Sequence, residues 1–183
     1  QIPGLSALAG ADVAVISVRR RVLPKEQLDA IRRFVSDGKG VVALRTASHA
    51  FAPRAGGSVP DGHDAWTAFD AEVLGGNYHG HHSEGPPVAV AAAAGAESHA
   101  ILSGVDVHKL FGHGSLYKVS PLAASATPLL IGSIPGQPAE PVAWINVPGS
   151  SKGRVFYSSL GQIDDFTQPE FNRLLKNAID WVK

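Results

Sequence analysis

Residues 12–51, DVAVISVRRRVLPKEQLDAIRRFVSDGKGVVALRTASHAF, contain the pattern that decides the fold. Residues 12–17 and 41–44 are short apolar runs with many β-branched side chains, which is typical of buried parallel strands. Between them, Pro24 and Gly38 bound a segment whose apolar residues recur at helical spacing. A strand, a helix and a second strand joined by short links form a βαβ unit, which requires a parallel sheet and a right-handed crossover.

Downstream of this unit the pattern changes to a series of strands. Residues 66–74 are predicted to be helical and to end at Gly75-Gly76, whereas residues 88–93 fit either a strand or a short helix. Pro- and Gly-rich turns separate the further predicted strands, which are residues 116–119, 128–134, 142–147 and 154–159. Strands without intervening helices predict antiparallel additions to one end of the sheet.

The last helix is the clearest predicted element. Its apolar residues recur at intervals of three and four, namely Phe171, Leu174, Leu175, Ala178, Ile179 and Val182. A continuous stripe of this kind packs on a sheet. The chain has no internal repeat and no low-complexity linker, so residues 1–183 are predicted to form a single α/β domain.

The composition excludes several classes of protein. The chain has 16 Lys and Arg and 16 Asp and Glu, so its net charge is about zero, whereas a nucleic-acid-binding domain usually has a basic excess. The basic run at residues 19–21 is interpreted as a solvated loop. No apolar run approaches the ~20 residues of a membrane helix. The absence of cysteine excludes disulfides, zinc–thiolate sites and a thiol nucleophile, and it favours neither a cytoplasmic nor a secreted location.

Candidate site residues follow the strand at residues 41–44, in the sequence Arg-Thr-Ala-Ser-His from residue 45 to residue 49. In an open α/β sheet, ligands bind beyond the carboxyl ends of the strands. Arg45 can hold an anionic or polyhydroxyl ligand through its fork of donors. Thr46 and Ser48 are candidate hydroxyl nucleophiles with His49 as a base. Local capping by the two hydroxyls is the alternative.

A second candidate is the histidine-rich stretch Tyr78-His79-Gly80-His81-His82, called the histidine loop below. Neutral imidazole is a common ligand of zinc and other divalent metals, so His79 and His81 are predicted as metal ligands and zinc as a candidate cofactor. A polar loop whose histidines bond to backbone groups and carboxylates is the alternative.

Two further candidates lie later in the chain. His113 is flanked by glycines that allow a close approach to a ligand, although a flexible turn has the same pattern. Gln162 follows the predicted strand at residues 154–159, and Asp164 and Asp165 either accept a hydrogen bond from a histidine or cap the last helix.

Segments spread over nearly the whole chain resemble one known family in the order in which they occur. They are GLSALAGADVAVI, FVSDGKG, VVALRTASHAF, VLGGNYHGHH, HAILSGV, LYKVSPL, PVAWI, GRVFYSSLG and the final helix with Trp181. The family is the ThuA-like, or trehalose-utilisation, family, a branch of the class I glutamine-amidotransferase-like fold. The resemblance is closest to a subgroup with an Arg-Thr-Ala-Thr-His-like elbow and a His-His-Gly-His-His-like loop. It implies a flavodoxin-like, mostly parallel sheet flanked by helices.

The sequence departs from the pattern of that fold at two positions. Arg45 stands about where an amidotransferase has its cysteine nucleophile, and a permanently charged guanidinium cannot attack a carbonyl. Gln162 stands where many ThuA-like proteins have a histidine. The chain is therefore predicted not to be a cysteine amidotransferase.

The start of the sequence is the third departure, because such folds usually have a strand, a helix and a strand before a segment like residues 12–17. This initial unit is absent from the 183 residues, which begin with Gln1 rather than methionine. An apolar strand at an open edge is prone to aggregation. We therefore expect an upstream segment, another chain or a second copy to pair with residues 12–17.

The resemblance implies a carbohydrate-related enzyme or enzyme-like domain whose partner is a small-molecule carbohydrate. The predicted catalytic residues are Arg45, His49 and His82, and the predicted substrate-binding residues are Thr46, Ser48, His113 and Gln162. We expect Arg45, His49 and at least one of the histidines of the histidine loop to line one pocket. Two alternatives stay open, a non-catalytic sugar-binding or regulatory module and a metal-dependent hydrolase or isomerase.

Overall fold

A computed structural model describes residues 1–83, 85–149 and 153–183. Its strands and longer helices, in chain order, are β1 (Val13–Ile16), β2 (Leu23–Pro24), α1 (Lys25–Ser36), β3 (Gly40–Leu44), β4 (His63–Asp64), β5 (Val88–Ala92), β6 (Phe111–Gly112), β7 (Ala126–Ser133), β8 (Glu140–Asn146), β9 (Val155–Ser158) and α2 (Pro169–Val182). Seven of the strands form one sheet in the order β1-β3-β9-β8-β7-β5-β6. The predicted α/β, flavodoxin-like class is confirmed.

The parallel end of the sheet is the predicted βαβ unit. β1 and β9 both run parallel to β3, which lies between them. All residues of β3 are buried, with Val41 and Ala43 in the core on one face and Val42 and Leu44 in the core on the other. A strand covered on both faces reads as a continuous apolar run, which is why the sequence identifies it.

The rest of the sheet is antiparallel, as predicted for the second half of the chain. β9, β8, β7, β5 and β6 pair antiparallel in that order, and residues 88–92 form a strand rather than a helix. The predicted strand at residues 116–119 is wrong, because only Tyr117 forms a bridge, and its partner is His81. Backbone hydrogen bonds from His79 to Lys118 and from His82 to Leu116 tie this segment to the histidine loop instead of to the sheet.

Helix α2 packs on the sheet, as its stripe predicted, and it covers the face opposite α1. Phe171, Leu174, Ala178 and Val182 are buried. Leu175 is only partly buried and Ile179 is 38% exposed, so the buried part of the stripe is narrower than the sequence indicated. The reason is geometric, since positions i, i+3, i+7 and i+11 face the sheet while i+4 and i+8 lie at its flank.

The segment before the histidine loop is anchored from β8. Residues 70–74, Asp70–Leu74, form a single π-helical turn in place of the longer helix predicted for residues 66–74. The buried Trp144 indole donates to the Leu74 carbonyl oxygen at 2.7 Å, and the Asn146 amide donates to the Val73 carbonyl oxygen at 2.9 Å. Buried polar groups of this kind need such partners, and here they hold the base of the loop against the sheet.

β1 is the edge strand of the sheet, with β3 as its neighbour among the described residues. Val15 is 56% exposed. Apolar side chains of the N-terminal segment and α1 border a cavity of about 400 Å³ beside this strand. Pairing of this edge with an added segment, another chain or a second copy stays a prediction. Within the described residues, no helix has the length and apolar character needed to cross a membrane.

Candidate functional site

Arg45 lies at the carboxyl end of β3, where the chain turns sharply into the 3₁₀ helix Arg45–His49. Its φ of 46° is in the left-handed region, which is uncommon for a residue other than glycine. The guanidinium donates from Nη1 to the Ser159 carbonyl oxygen at 3.2 Å, just beyond β9. Its Cζ lies 5.2 Å from the centre of the Tyr117 ring. These contacts hold Arg45 above the carboxyl ends of two parallel strands.

His49 closes the same 3₁₀ helix and packs against two tyrosines. Its ring stacks on Tyr78 with 4.7 Å between centroids and lies 6.4 Å from Tyr117. Burial, followed by the charges of Arg20 and Arg19, lowers the pKa of His49 to about 4. His49 is therefore a neutral imidazole at neutral pH, the form that can accept a proton.

Tyr117 is the centre of the candidate site. Its ring lies 4.8 Å from Tyr78 and 6.2 Å from His81. The structure thus brings Arg45, His49 and His81 around one aromatic ring, and their binding of one ligand stays a prediction. Sequence reasoning does not find Tyr117, because the pattern of residues 116–119 predicts a strand of the sheet.

The ring nitrogens of His79 and His81 bond to backbone groups nearby in the chain. His79 is exposed, and its Nδ1 donates to the Asn77 carbonyl oxygen at 2.8 Å. His81 donates from Nδ1 to the His82 carbonyl oxygen at 2.9 Å. Across residues 1–83, 85–149 and 153–183 there is no group of three or more His, Cys, Asp or Glu that can hold a metal ion. Zinc binding by His79 and His81 stays a prediction, and their backbone hydrogen bonds also fit the alternative of a polar loop.

The hydroxyl-bearing residues Thr46 and Ser48, which follow β3, differ in how far they are exposed to solvent. Ser48 is 6% exposed and its Oγ lies 3.1 Å from Nδ1 of His49 and 3.4 Å from the Arg45 carbonyl oxygen. It lies beneath His49, where it can orient the imidazole but is shielded from a ligand. Thr46 is partly exposed. The Tyr157 hydroxyl, completely buried, donates to the Arg45 carbonyl oxygen at 2.7 Å and supports the turn from below.

His113 and the buried Asp165 form a hydrogen-bonded pair. Nδ1 of His113 donates to Oδ1 of Asp165 at 2.8 Å, and the backbone N–H of His113 donates to the same oxygen at 2.8 Å. Oδ2 of Asp165 accepts from the N–H groups of Gly161 and Gln162. Asp165 therefore accepts from a histidine, as one of the two alternatives predicted, and it caps the 3₁₀ helix Ile163–Thr167 rather than the last helix.

Gln162 takes part in the same capping arrangement. Its Oε1 accepts from the Asp164 N–H while Asp165 accepts from the Gln162 N–H, which together form a capping box. The predicted contact of Gln162 with a substrate gains no support from this geometry. His113 is joined to the site through Gly114, because a side chain at Gly114 would overlap the Arg45 guanidinium.

Arg19 and Arg20, which the sequence predicts to lie in a solvated loop, lie beside the site. The Arg20 N–H donates to the His49 carbonyl oxygen at 3.1 Å. Arg19 and Arg20 both lower the pKa of His49 through their charge. The run of three arginines is the one sequence feature that points to this part of the site. The residues next to the run do not indicate that it lies beside His49.

Asp70 is a buried carboxyl group that supports the histidine loop. Its Oδ2 accepts from the Tyr78 N–H at 2.7 Å, whereas its Oδ1 has no hydrogen-bond donor among the described residues. Its carboxyl group also presses so closely on Gly76 that a Cβ there would overlap it. Burial raises the pKa of Asp70 from 3.8 to about 6.

Replacing Asp70 by asparagine is expected to change how stability depends on pH. A carboxyl group whose pKa is higher in the folded than in the unfolded protein stabilises the native state at pH values below its unfolded pKa. This contribution is lost as the pH rises through the folded pKa of about 6. The wild type should therefore lose roughly 2 kcal/mol relative to Asp70→Asn between about pH 4 and about pH 8. Urea unfolding at both pH values measures it, with exposed Asp61→Asn as the control. Parallel pH curves for wild type and Asp70→Asn would contradict the assignment.

Comparison with known proteins places the fold and the site in context. A family model, ThuA, described as trehalose utilisation, matches residues 4–182. No curated protein matches the sequence. A ThuA-like protein from Bacteroides uniformis has a TM-score of 0.70 at 20% identity, over 97% of this chain and 71% of that one.

Two further solved structures show how widely the fold occurs. A cytoplasmic protein from Salmonella typhimurium has a TM-score of 0.62 at 14% identity, over 100% of this chain and 76% of that one. A β-galactosidase from Rahnella sp. R3 has a TM-score of 0.63 at 17% identity, and the match covers 95% of this chain but 23% of that enzyme. At these identities the likeness concerns the fold, not the activity.

Proposed function

Because the chain belongs to the trehalose-utilisation (ThuA) family, we propose that the cluster around Tyr117 binds a carbohydrate and that His49 moves a proton on it. The observation that carries this proposal is the convergence of Arg45, His49 and His81 on the Tyr117 ring. The cluster lies beyond the carboxyl ends of β3 and β9, where open α/β sheets bind ligands.

The chemistry of these side chains suits a sugar. The half-buried ring of Tyr78 offers flat apolar area together with a hydroxyl group, and the buried Tyr117 ring supports it from below. Arg45 offers several N–H donors to hydroxyl oxygens, and it is held over Tyr117 by the Ser159 carbonyl. A sugar presents both apolar C–H faces and many hydroxyls, so each kind of group has a counterpart.

His49 is the proposed proton acceptor of a hydrolysis or an isomerisation. With Nδ1 donating to Ser48 Oγ, the Nε2 lone pair is the basic position turned away from the buried serine. The neutral state of His49 keeps that lone pair available down to a pH of about 4. Ser48 is a positioning residue in this scheme, and Arg45 binds the oxygen on which negative charge develops.

Glutamine amidotransfer is not part of the proposal. The chain contains no cysteine, and Arg45 occupies the sharp turn after β3. The hydroxyl nearest to His49, that of Ser48, is buried. This burial favours a second candidate, a sugar-binding module without turnover. Calorimetric titration with a panel of sugars, combined with NMR detection of products, separates catalysis from binding alone.

Replacing Arg45 by glycine is expected to weaken sugar binding while leaving the fold intact. Glycine adopts a φ of 46° without strain, which offsets the loss of the bond to Ser159. Stability should stay within about 1 kcal/mol of the wild type, whereas affinity should fall about 10–100-fold, since hydrogen bonds to charged groups are involved. Calorimetry and urea unfolding measure the two effects.

The matched control is Arg33→Ala, because Arg33 is exposed near the end of α1, next to the amino end of β3. This variant removes the same positive charge, but at the amino ends of the parallel strands instead of their carboxyl ends. Wild-type sugar affinity in the Arg45→Gly protein would remove Arg45 from the site.

A further inference from the structure

Three arginines surround a separate small pocket next to His49. Arg19, Arg20 and Arg54 line a cavity of about 240 Å³. The chain as a whole has a net charge of about zero, so this concentration of positive charge is local. Within the described residues, the salt bridges of arginine side chains all belong to Arg32, and none involves the three arginines of this pocket.

Backbone contacts hold the arginine pocket against the site described above. The N–H groups of Arg20 and Arg21 donate to the carbonyl oxygens of His49 and Ala50 at 3.1 and 2.6 Å. Nη1 of Arg20 donates to the Pro53 carbonyl oxygen at 3.2 Å, which brings Arg20 beside the residue preceding Arg54. The loop therefore runs along the segment that follows the elbow.

Backbone strain occurs both in the arginine pocket and at the turn after β3. Among the described non-glycine residues, a positive φ occurs at Arg20 and Arg45, and it is 46° at both. Such conformations cost free energy and persist where surrounding structure holds them, commonly at functional sites. Arg20 lies in the pocket and Arg45 lies over Tyr117. The His49 carbonyl oxygen accepts a hydrogen bond from the Arg20 N–H, which connects the two places.

We propose that Arg19, Arg20 and Arg54 bind an anionic group of the ligand, so that the carbohydrate of the neighbouring site is a phosphorylated or carboxylated sugar. This inference rests on the proposed function for its sugar part. Guanidinium groups match the oxygens of phosphate and carboxylate in pairs, and they are favoured where such groups are recognised. Clustered cations repel one another, and a bound anion removes that repulsion.

The arginine pocket adjoins the site through the backbone of His49. The charges of Arg19 and Arg20 are felt at His49 and at Tyr78, whose ring stacks on His49. Arg20 also bonds directly to the His49 backbone. A ligand with its anionic group among the three arginines would place the adjoining sugar ring over His49 and Tyr78.

The test compares ligands that differ in the anionic group. Calorimetry uses glucose, glucose 6-phosphate, glucuronate, trehalose, trehalose 6-phosphate and inorganic phosphate. The double variant Arg19→Ala/Arg54→Ala is compared with the wild type and with Arg33→Ala. Arg19 and Arg54 are chosen because they are exposed, whereas Arg20 supports the loop through Pro53. Urea unfolding confirms that each variant is folded.

We expect the wild type to prefer one anionic sugar over its neutral parent by about tenfold or more, and the double variant to lose that preference while keeping the neutral-sugar affinity. A phosphate preference and a carboxylate preference identify the two sources of the anion. Equal affinity for charged and neutral sugars overturns the inference and leaves the proposed function standing. Binding of inorganic phosphate that depends on the arginines, without binding of any sugar, supports the pocket and removes the carbohydrate assignment.

Discussion

Replacing His49 by glutamine is expected to lower kcat on the sugar substrate by about 10²–10⁴-fold, the usual contribution of a positioned acid or base. Glutamine fills similar space but cannot take up a proton. Sugar affinity should change little, because Tyr78 and Arg45 remain at the site, against the buried Tyr117 ring. Steady-state rates and calorimetry, performed on the same preparations, separate turnover from binding.

The pH profile gives this prediction a second readout. The rate should fall on the acid side with a pKa of about 4, at which His49 becomes protonated. In Arg19→Ala the acid limb should move to higher pH, since one of the charges that depress this pKa is removed.

His99→Gln is the matched control, because the His99 ring packs on Trp181 at the far end of α2. Its kcat should equal that of the wild type. Unchanged turnover in His49→Gln would exclude His49 as the proton acceptor. Sugar binding by a wild-type protein that shows no turnover would establish the binding module instead.

Replacing Phe171 by alanine is expected to destabilise the protein by about 3–5 kcal/mol, as is typical for a large aromatic side chain removed from a core. Phe171 is fully buried, and its ring meets Phe166 edge-on at 5.1 Å. It also lies under Gly161, next to the residues that Asp165 holds. Loss of the ring leaves a cavity that the sheet and α2 cannot easily collapse to fill.

Leu175→Ala is the matched comparison, since Leu175 lies on the same helix but is only partly buried. It should cost less than about 1.5 kcal/mol, because part of the side chain already contacts water. Urea unfolding with an unchanged m-value measures both variants. Similar losses for Phe171→Ala and Leu175→Ala would show that α2 is rotated relative to the arrangement described here.

The architecture was largely predictable because it depends on short-range patterns. Because β3 is buried on both faces, its residues form a continuous apolar run, and the apolar spacing of three and four residues identified α2. The exceptions were segments whose partners are distant in sequence. Residues 116–119 resemble a strand in composition, but their hydrogen bonds go to the histidine loop.

For the candidate site, the sequence by itself determined which side chains follow β3 and that histidines are concentrated after Gly76. Only the tertiary structure decided that Tyr117 joins them and that Arg19 and Arg20 lie beside His49. The physical reason is that periodicity records which face of an element is buried, a local property of the chain. The neighbours of a side chain, its burial and therefore its pKa depend on how distant loops pack above the edge of the sheet, which no local pattern encodes.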